Sequence, residues 1–135
     1  MKTTNTKEYG QDWASDQLDE IGKLGPDWDS YGGEPPSPLA IAIAFHLLRF
    51  VYETFGNLAY EQSQPQIISP RADGGIQIEW GIPPVEIAVH VDPSGILGYL
   101  YIDQQGDAPK YEEVQSASWD KILRLIATVV FTIPK

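Results

Sequence analysis

The chain has 135 residues, of which 42% are hydrophobic and 21% charged, with a net charge of −10 and no cysteine. That length and composition suit one globular domain, and they exclude a disordered chain, a disulfide framework and thiol chemistry. An acidic surface disfavours nucleic acid and anionic membranes as direct partners and is compatible with a basic protein partner.

The N-terminus, Met1 to Thr6, is polar and lacks the apolar stretch of a secretory signal, so a cytoplasmic protein is expected. Residues 1–12 read as a flexible N-terminal tail, and residues 13–135 as a single α+β domain. A short helix is expected from Ser15 to Leu24, with Ser15 as its cap, Asp16 in its first turn and Gly25-Pro26 stopping it. Leu18, Ile21 and Leu24 give it one apolar edge, with Trp13 at its entry. The acidic excess is concentrated here: Glu8, Asp12, Asp16, Asp19, Glu20, Asp27, Asp29 and Glu34 are opposed only by Lys23.

A rigid loop follows, Asp27-Trp28-Asp29-Ser30-Tyr31-Gly32-Gly33-Glu34-Pro35-Pro36. It feeds the most apolar run of the chain. Ser37 is a good N-cap and Pro38 falls at the first helical position, so a long helix is predicted from there to Phe55, closed by Gly56. Its apolar surface is wide enough to need cover on more than one side. His46 and Arg49 interrupt it too soon for a membrane span.

The period then changes from helical to alternating. Gln66–Ser69, Ile76–Trp80, Val85–Val91 and Ile96–Ile102 read as four strands, separated by the turn signals Asp73-Gly74-Gly75, Gly81-Ile82-Pro83-Pro84 and Asp92-Pro93-Ser94-Gly95. One face carries Ile76, Ile78, Trp80, Val85, Ile87, Val89 and Val91. The other carries Gln77, Glu79, Glu86, Ala88 and His90 and should meet water or a partner. Asp103 to Gln115 reads as a polar loop with a short extended piece around Tyr111. Ser118 then caps a last helix through Phe131. The expected fold is α+β with two layers: a four-stranded antiparallel meander packed on helices, in the order α-α-β-β-β-β-α.

No spacing announces chemistry. Two histidines, His46 and His90, lie on different elements, and neither an HxH nor an HExxH pattern exists, so no zinc site is expected. The Asp27/Asp29 pair lacks the ligand spacing of a calcium loop, and Asp29 is expected to accept backbone amides of its own turn. Neither Gly32-Gly33 nor Gly74-Gly75 fits a phosphate loop. No metal and no cofactor is expected. Two functional readings remain. The first is a non-catalytic protein–protein interaction module, antitoxin-like, inhibitor-like or an accessory subunit, with an aromatic and acidic contact set of Trp28, Asp29, Tyr31, Trp80, Tyr99 and Tyr101. Its partner would be a basic protein, and the surplus of apolar helix surface is compatible with a homodimer. The second is a small enzyme or ligand-binding domain using Glu79, Glu86 and His90, with Asp29 from the loop. Trp28 and Tyr31 are also expected to fasten the proline-rich loop against the sheet or the long helix.

Two segments carry a resemblance. Pro26-Asp27-Trp28-Asp29 leading to Pro35-Pro36-Ser37, and Pro70 followed by Asp73-Gly74-Gly75-Ile76 and Glu79-Trp80, resemble an uncharacterised family of small bacterial proteins. They are similar in a Trp-Asp entry to a Pro-Ser helix start and a later strand opened by Asp-Gly-Gly-Ile. The resemblance covers roughly residues 15 to 102. It implies a compact bacterial domain with architectural motif positions, and it carries over no catalytic residue.

Overall fold

The computed structural model describes residues 6–132. It places four helices and five strands in the order α1 (Thr6–Gly22), α2 (Pro38–Phe55), α3 (Tyr60–Ser63), β1 (Ile67–Pro70), β2 (Ile76–Ile82), β3 (Val85–Val91), β4 (Leu97–Asp103), β5 (Lys110–Val114) and α4 (Trp119–Val130). The fold is α+β: an antiparallel meander, β1-β2-β3-β4-β5, packed against helices.

The alternating residues set the register. Ile76, Ile78, Trp80, Val85, Ile87, Val89 and Val91 are all buried, and the residues between them in β2 and β3 are half-buried. Because Val91 pairs with Leu97 and Val89 with Tyr99, β4 sends Leu97 and Tyr99 to the same core face. α4 lies across β2, β3 and β4, α2 lies against β2 and β3, and α1 packs on α2 and β1. Their buried stripes, Leu18 and Ile21 of α1, Ala44, Leu47 and Val51 of α2, and Ile122 and Ile126 of α4, close the core from that side.

The helix starts follow cap chemistry. The Ser37 hydroxyl accepts the Ala40 amide at 3.2 Å, and Pro38 sits in the first turn. The Ser118 hydroxyl accepts the Lys121 amide at 3.2 Å, with Asp120 in the positive first turn of α4. α2 is long and apolar enough to cross a membrane by length and composition alone. In this fold its inner residues, Ala40, Ala44, Leu47 and Val51, are core.

Three boundaries differ from expectation. The sheet has five strands, not four: Lys110–Val114 pairs with β4, because the free edge of β4 offers a ladder that even a polar segment can complete. α1 begins at Thr6 rather than Ser15, so part of the expected tail is helical and residues 1–5 of it lie outside the described residues. Ala14 is buried beside Leu18 and Ile21, which extends the packed stripe a turn further toward the N-terminus. A four-residue helix, α3, also occupies part of the expected linker. Both sheet edges are poor templates for further pairing: β1 is four residues long and ends in Pro70, and β5 reads Lys-Tyr-Glu-Glu-Val.

Candidate functional site

The two motif segments meet in space. The backbone amide of Glu34 donates to the Ala72 carbonyl at 2.9 Å, and that of Ser37 to the Gly74 carbonyl at 2.8 Å. The Ser37 hydroxyl donates to the Pro93 carbonyl at 2.8 Å. The loop before α2, the β1–β2 turn and the β3–β4 turn thus form one cluster at one end of the sheet. Gly74 allows it: its φ is +90°, and a Cβ there would lie 3.0 Å from the Pro35 carbonyl oxygen.

Carboxylates shape all three segments. One oxygen of Asp29 accepts the amides of Tyr31 at 2.9 Å and Gly33 at 2.8 Å. Asp27 accepts the Gly32 amide at 2.6 Å, Asp73 the Gly75 amide at 2.8 Å, and Asp92 the amides of Ser94 and Ile96 at 2.9 and 3.0 Å. The Tyr31 and Gly33 amides hold the Asp29 carboxyl below the usual carboxylate range, and the Ile96 amide does the same for Asp92. Among the described residues, no three acidic or histidine side chains converge as a metal site requires.

Within this cluster Trp28 and Tyr31 behave differently. Trp28 is half-buried, and its indole N–H donates to the Glu34 carbonyl at 2.8 Å, closing the loop on itself. Tyr31 is 92% exposed. The expectation that both aromatics fasten the loop to the sheet or long helix is therefore corrected: Tyr31 lies in water, and the hydrogen bond of Trp28 is made within the loop itself. The fastening comes from carboxylate–amide bonds and from the backbone bonds to Ala72 and Gly74, so Tyr31 is not needed for it. Two non-glycine residues of the loop, Asp27 and Ser30, hold positive φ of 61° and 65°, a conformation that costs about 1 kcal/mol or more each.

The other aromatics of the expected contact set lie elsewhere. Trp80 is 0% exposed, with its indole N–H donating to the Ser63 carbonyl at 3.0 Å. The Tyr99 ring is buried, and its hydroxyl donates to Glu112 at 2.7 Å. Burial, with Glu112 adding to it, pushes the Tyr99 hydroxyl up to about 12. Tyr101 is half-buried on the core face, opposite Ile87. Strand parity turns these three inward, so Trp80 and Tyr99 offer no surface to a partner.

Glu79, Glu86 and His90 do share the open face of the sheet, but in different rows. His90 pairs with Gln77 and with Gly98, Glu79 with Ala88, and Glu86 with Ile102. The His90 ring lies over Gly98, where a Cβ would collide with it. Burial lowers its pKa, and the Arg71 guanidinium lowers it further. Arg71 donates to the Gln77 side-chain oxygen at 2.8 Å, and the Gln77 amide donates to Glu79 at 3.0 Å. Glu79 is thus an acceptor at the end of a polar chain, and His90 has a cation as its leading charged neighbour. The same face carries Ile67, Leu100, Ile102, Tyr111 and Glu113. The chain matches no protein-family profile, no curated protein and no solved structure.

Proposed function

We propose that the protein is a non-catalytic protein–protein interaction module whose contact residue is Tyr31. The observation that carries this reading is a tyrosine, 92% exposed, at the tip of a loop whose every neighbour is tied down. Among the described residues none holds the ring, whereas the chain spends backbone strain at Asp27 and Ser30 to hold the loop that displays it. Tyrosine is among the residues that dominate interface energetics, and a loop ordered before binding loses little further entropy on contact. Exposed Asp27 and Glu34 beside it, in a chain of net charge −10, select a basic partner. The open face supports this reading over the enzymatic one, since Glu79 already accepts from Gln77 and the His90 ring lies over Gly98, with burial and the Arg71 charge disfavouring its protonated form.

A photo-reactive amino acid at position 31, introduced in the cells that make the protein, tests this. One defined adduct with a basic protein is expected, together with its absence when the same probe replaces exposed Asp16 on α1. Tyr31→Ala should leave the unfolding midpoint in place and weaken that partner's binding. Equal labelling from both positions, or none from position 31, overturns the reading.

A further inference from the structure

At the end of the sheet opposite the Tyr31 loop, a cleft of about 590 Å³ opens beside the β2–β3 turn. α3, the residue before β1, the segment after β4 and the end of α4 also border it. That volume suits a small-molecule site, for which about 300–1,000 Å³ is usual. Ile82, Pro83, Pro84 and Val129 give it an apolar wall.

The polar lining sets it apart from the rest of this acidic chain. Four of the nine glutamines border it, Gln62, Gln66, Gln104 and Gln105. Of the 19 acidic residues only Glu61 does so, and of the 9 basic residues none. The main chain around the cleft is already engaged. The Gln66 backbone amide donates to the Glu79 carbonyl at 2.7 Å, and that of Gln104 to the Pro84 carbonyl at 2.8 Å. The Gln105 amide donates to the Asp103 carboxylate at 3.0 Å, and the two prolines have no N–H to give. The side chains differ. Among the described residues, none hydrogen-bonds the side-chain amides of Gln62, Gln66 and Gln105, while that of Gln104 reaches the Tyr111 hydroxyl at 3.4 Å.

These features select a class of ligand. A phosphate or carboxylate would find no cation there and would meet Glu61, and a cation would find a single carboxylate. A wholly apolar ligand would take water from the amides and return no hydrogen bond. An extended peptide is held through its main chain, and the cleft has few main-chain groups left to hold it. A neutral polyhydroxylated ligand fits. A primary amide offers a donor and an acceptor side by side, and a sugar hydroxyl both accepts and donates. The C–H face of a sugar ring matches the wall of Ile82 and the prolines. Tyr111, 62% exposed beyond Gln104, adds an aromatic face for a neighbouring sugar unit. We infer that the cleft is a carbohydrate site for a neutral oligosaccharide, with Gln62, Gln66 and Gln105 as its hydrogen-bonding groups. It lies apart from the Tyr31 loop, and either reading can fail without the other.

Nuclear magnetic resonance on the nitrogen-labelled chain, following the glutamine side-chain amides, tests the inference. The probes are maltohexaose, cellohexaose and chitohexaose, each at several millimolar. At least one should shift the side-chain signals of Gln62, Gln66 and Gln105 to saturation. Added salt should not change that binding, because a neutral ligand leaves no charge to screen. Gln66→Ala and Gln105→Ala, at exposed positions, should keep the fold by circular dichroism and each weaken the binding about tenfold, as the loss of one hydrogen bond does. Failure of all three sugars to shift these amides overturns the inference. So does binding that salt abolishes, or that both variants retain in full. Shifts produced by inorganic phosphate or a proline-rich peptide, and by none of the sugars, overturn it as well.

Discussion

Trp80 separates a core role from a contact role, because its chemistry fits either. In the structure the indole is fully buried on the core face of β2, hydrogen-bonded to the Ser63 carbonyl at 3.0 Å and covered by the helix layer. Trp80→Phe keeps an aromatic ring there but loses that hydrogen bond, worth roughly 1 kcal/mol net. It also removes part of the buried ring system, worth roughly 1–2 kcal/mol in lost apolar burial. The sum, about 2–3 kcal/mol, is a large share of the 5–15 kcal/mol or so that holds a domain together. For a chain of this length each kcal/mol moves the thermal midpoint by about 3–4 °C, so a fall of roughly 6–12 °C is expected. Trp80→Ala, which opens a cavity, should cost roughly 3–5 kcal/mol. Thermal unfolding followed by circular dichroism, with urea unfolding at fixed temperature as a second axis, reads both. A midpoint within about 2 °C of wild type for Trp80→Phe would mean that the ring is not packed as described, and the inward parity of β2 would be wrong.

Tyr31→Ala supplies the contrast: with the side chain in water, its stability change should stay within about 0.5 kcal/mol, measured in the same scans. Gly74→Ala should destabilise by roughly 1–2 kcal/mol, since alanine resists a φ of +90° and its methyl would press on the Pro35 carbonyl; an unchanged urea midpoint would show that the loop does not dock there. Folding depresses the His90 pKa, so below its ordinary 6.5 the unfolded chain binds the proton more readily. Stability contributed by neutral His90 is then present above pH 6.5 and lost as pH falls through the folded value, and His90→Gln should flatten that part of a stability–pH curve. Tyr99 has the opposite sign: its folded pKa is raised from 10.0 to about 12, so its contribution is complete below pH 10 and disappears as pH rises toward 12, which a phenolate absorbance titration of Tyr99→Phe against wild type would show.

Much of the fold is written in local chemistry. The alternation of Ile76 to Trp80 and of Val85 to Val91 gives both strands and their buried face, and the serine caps at 37 and 118 give the starts of α2 and α4. β5 is legible only in part. The extended piece expected around Tyr111 is there, but its residues are almost all exposed and show no apolar alternation, so its pairing with β4 has a tertiary cause, the edge that β4 leaves beside it. The N-terminal part of α1 is similar, since Thr6-Lys7-Glu8-Tyr9-Gly10-Gln11-Asp12 is almost wholly polar and shows no helical apolar period.

The burial of the expected contact residues was legible in part, and the misplacements have one source. Parity alone assigns Trp80 to the core, and grouping it with Tyr31 because both are aromatic sets parity aside. Trp28 and Tyr31, three residues apart in one loop, cannot be told apart by composition. The difference comes from the path of the chain: positive φ at Asp27 and Ser30 turns Trp28 back onto Glu34 and leaves Tyr31 outward. The same path bears on the charge of the loop. Asp29 serves the loop by accepting the Tyr31 and Gly33 amides, and those bonds favour its ionised form, so the carboxylate that shapes the tip stays charged below the usual carboxylate range. Architecture and electrostatics are thus carried by one side chain. Protonating Asp29 would weaken its hydrogen bonds to the Tyr31 and Gly33 amides, so the charge of this turn and its shape are coupled.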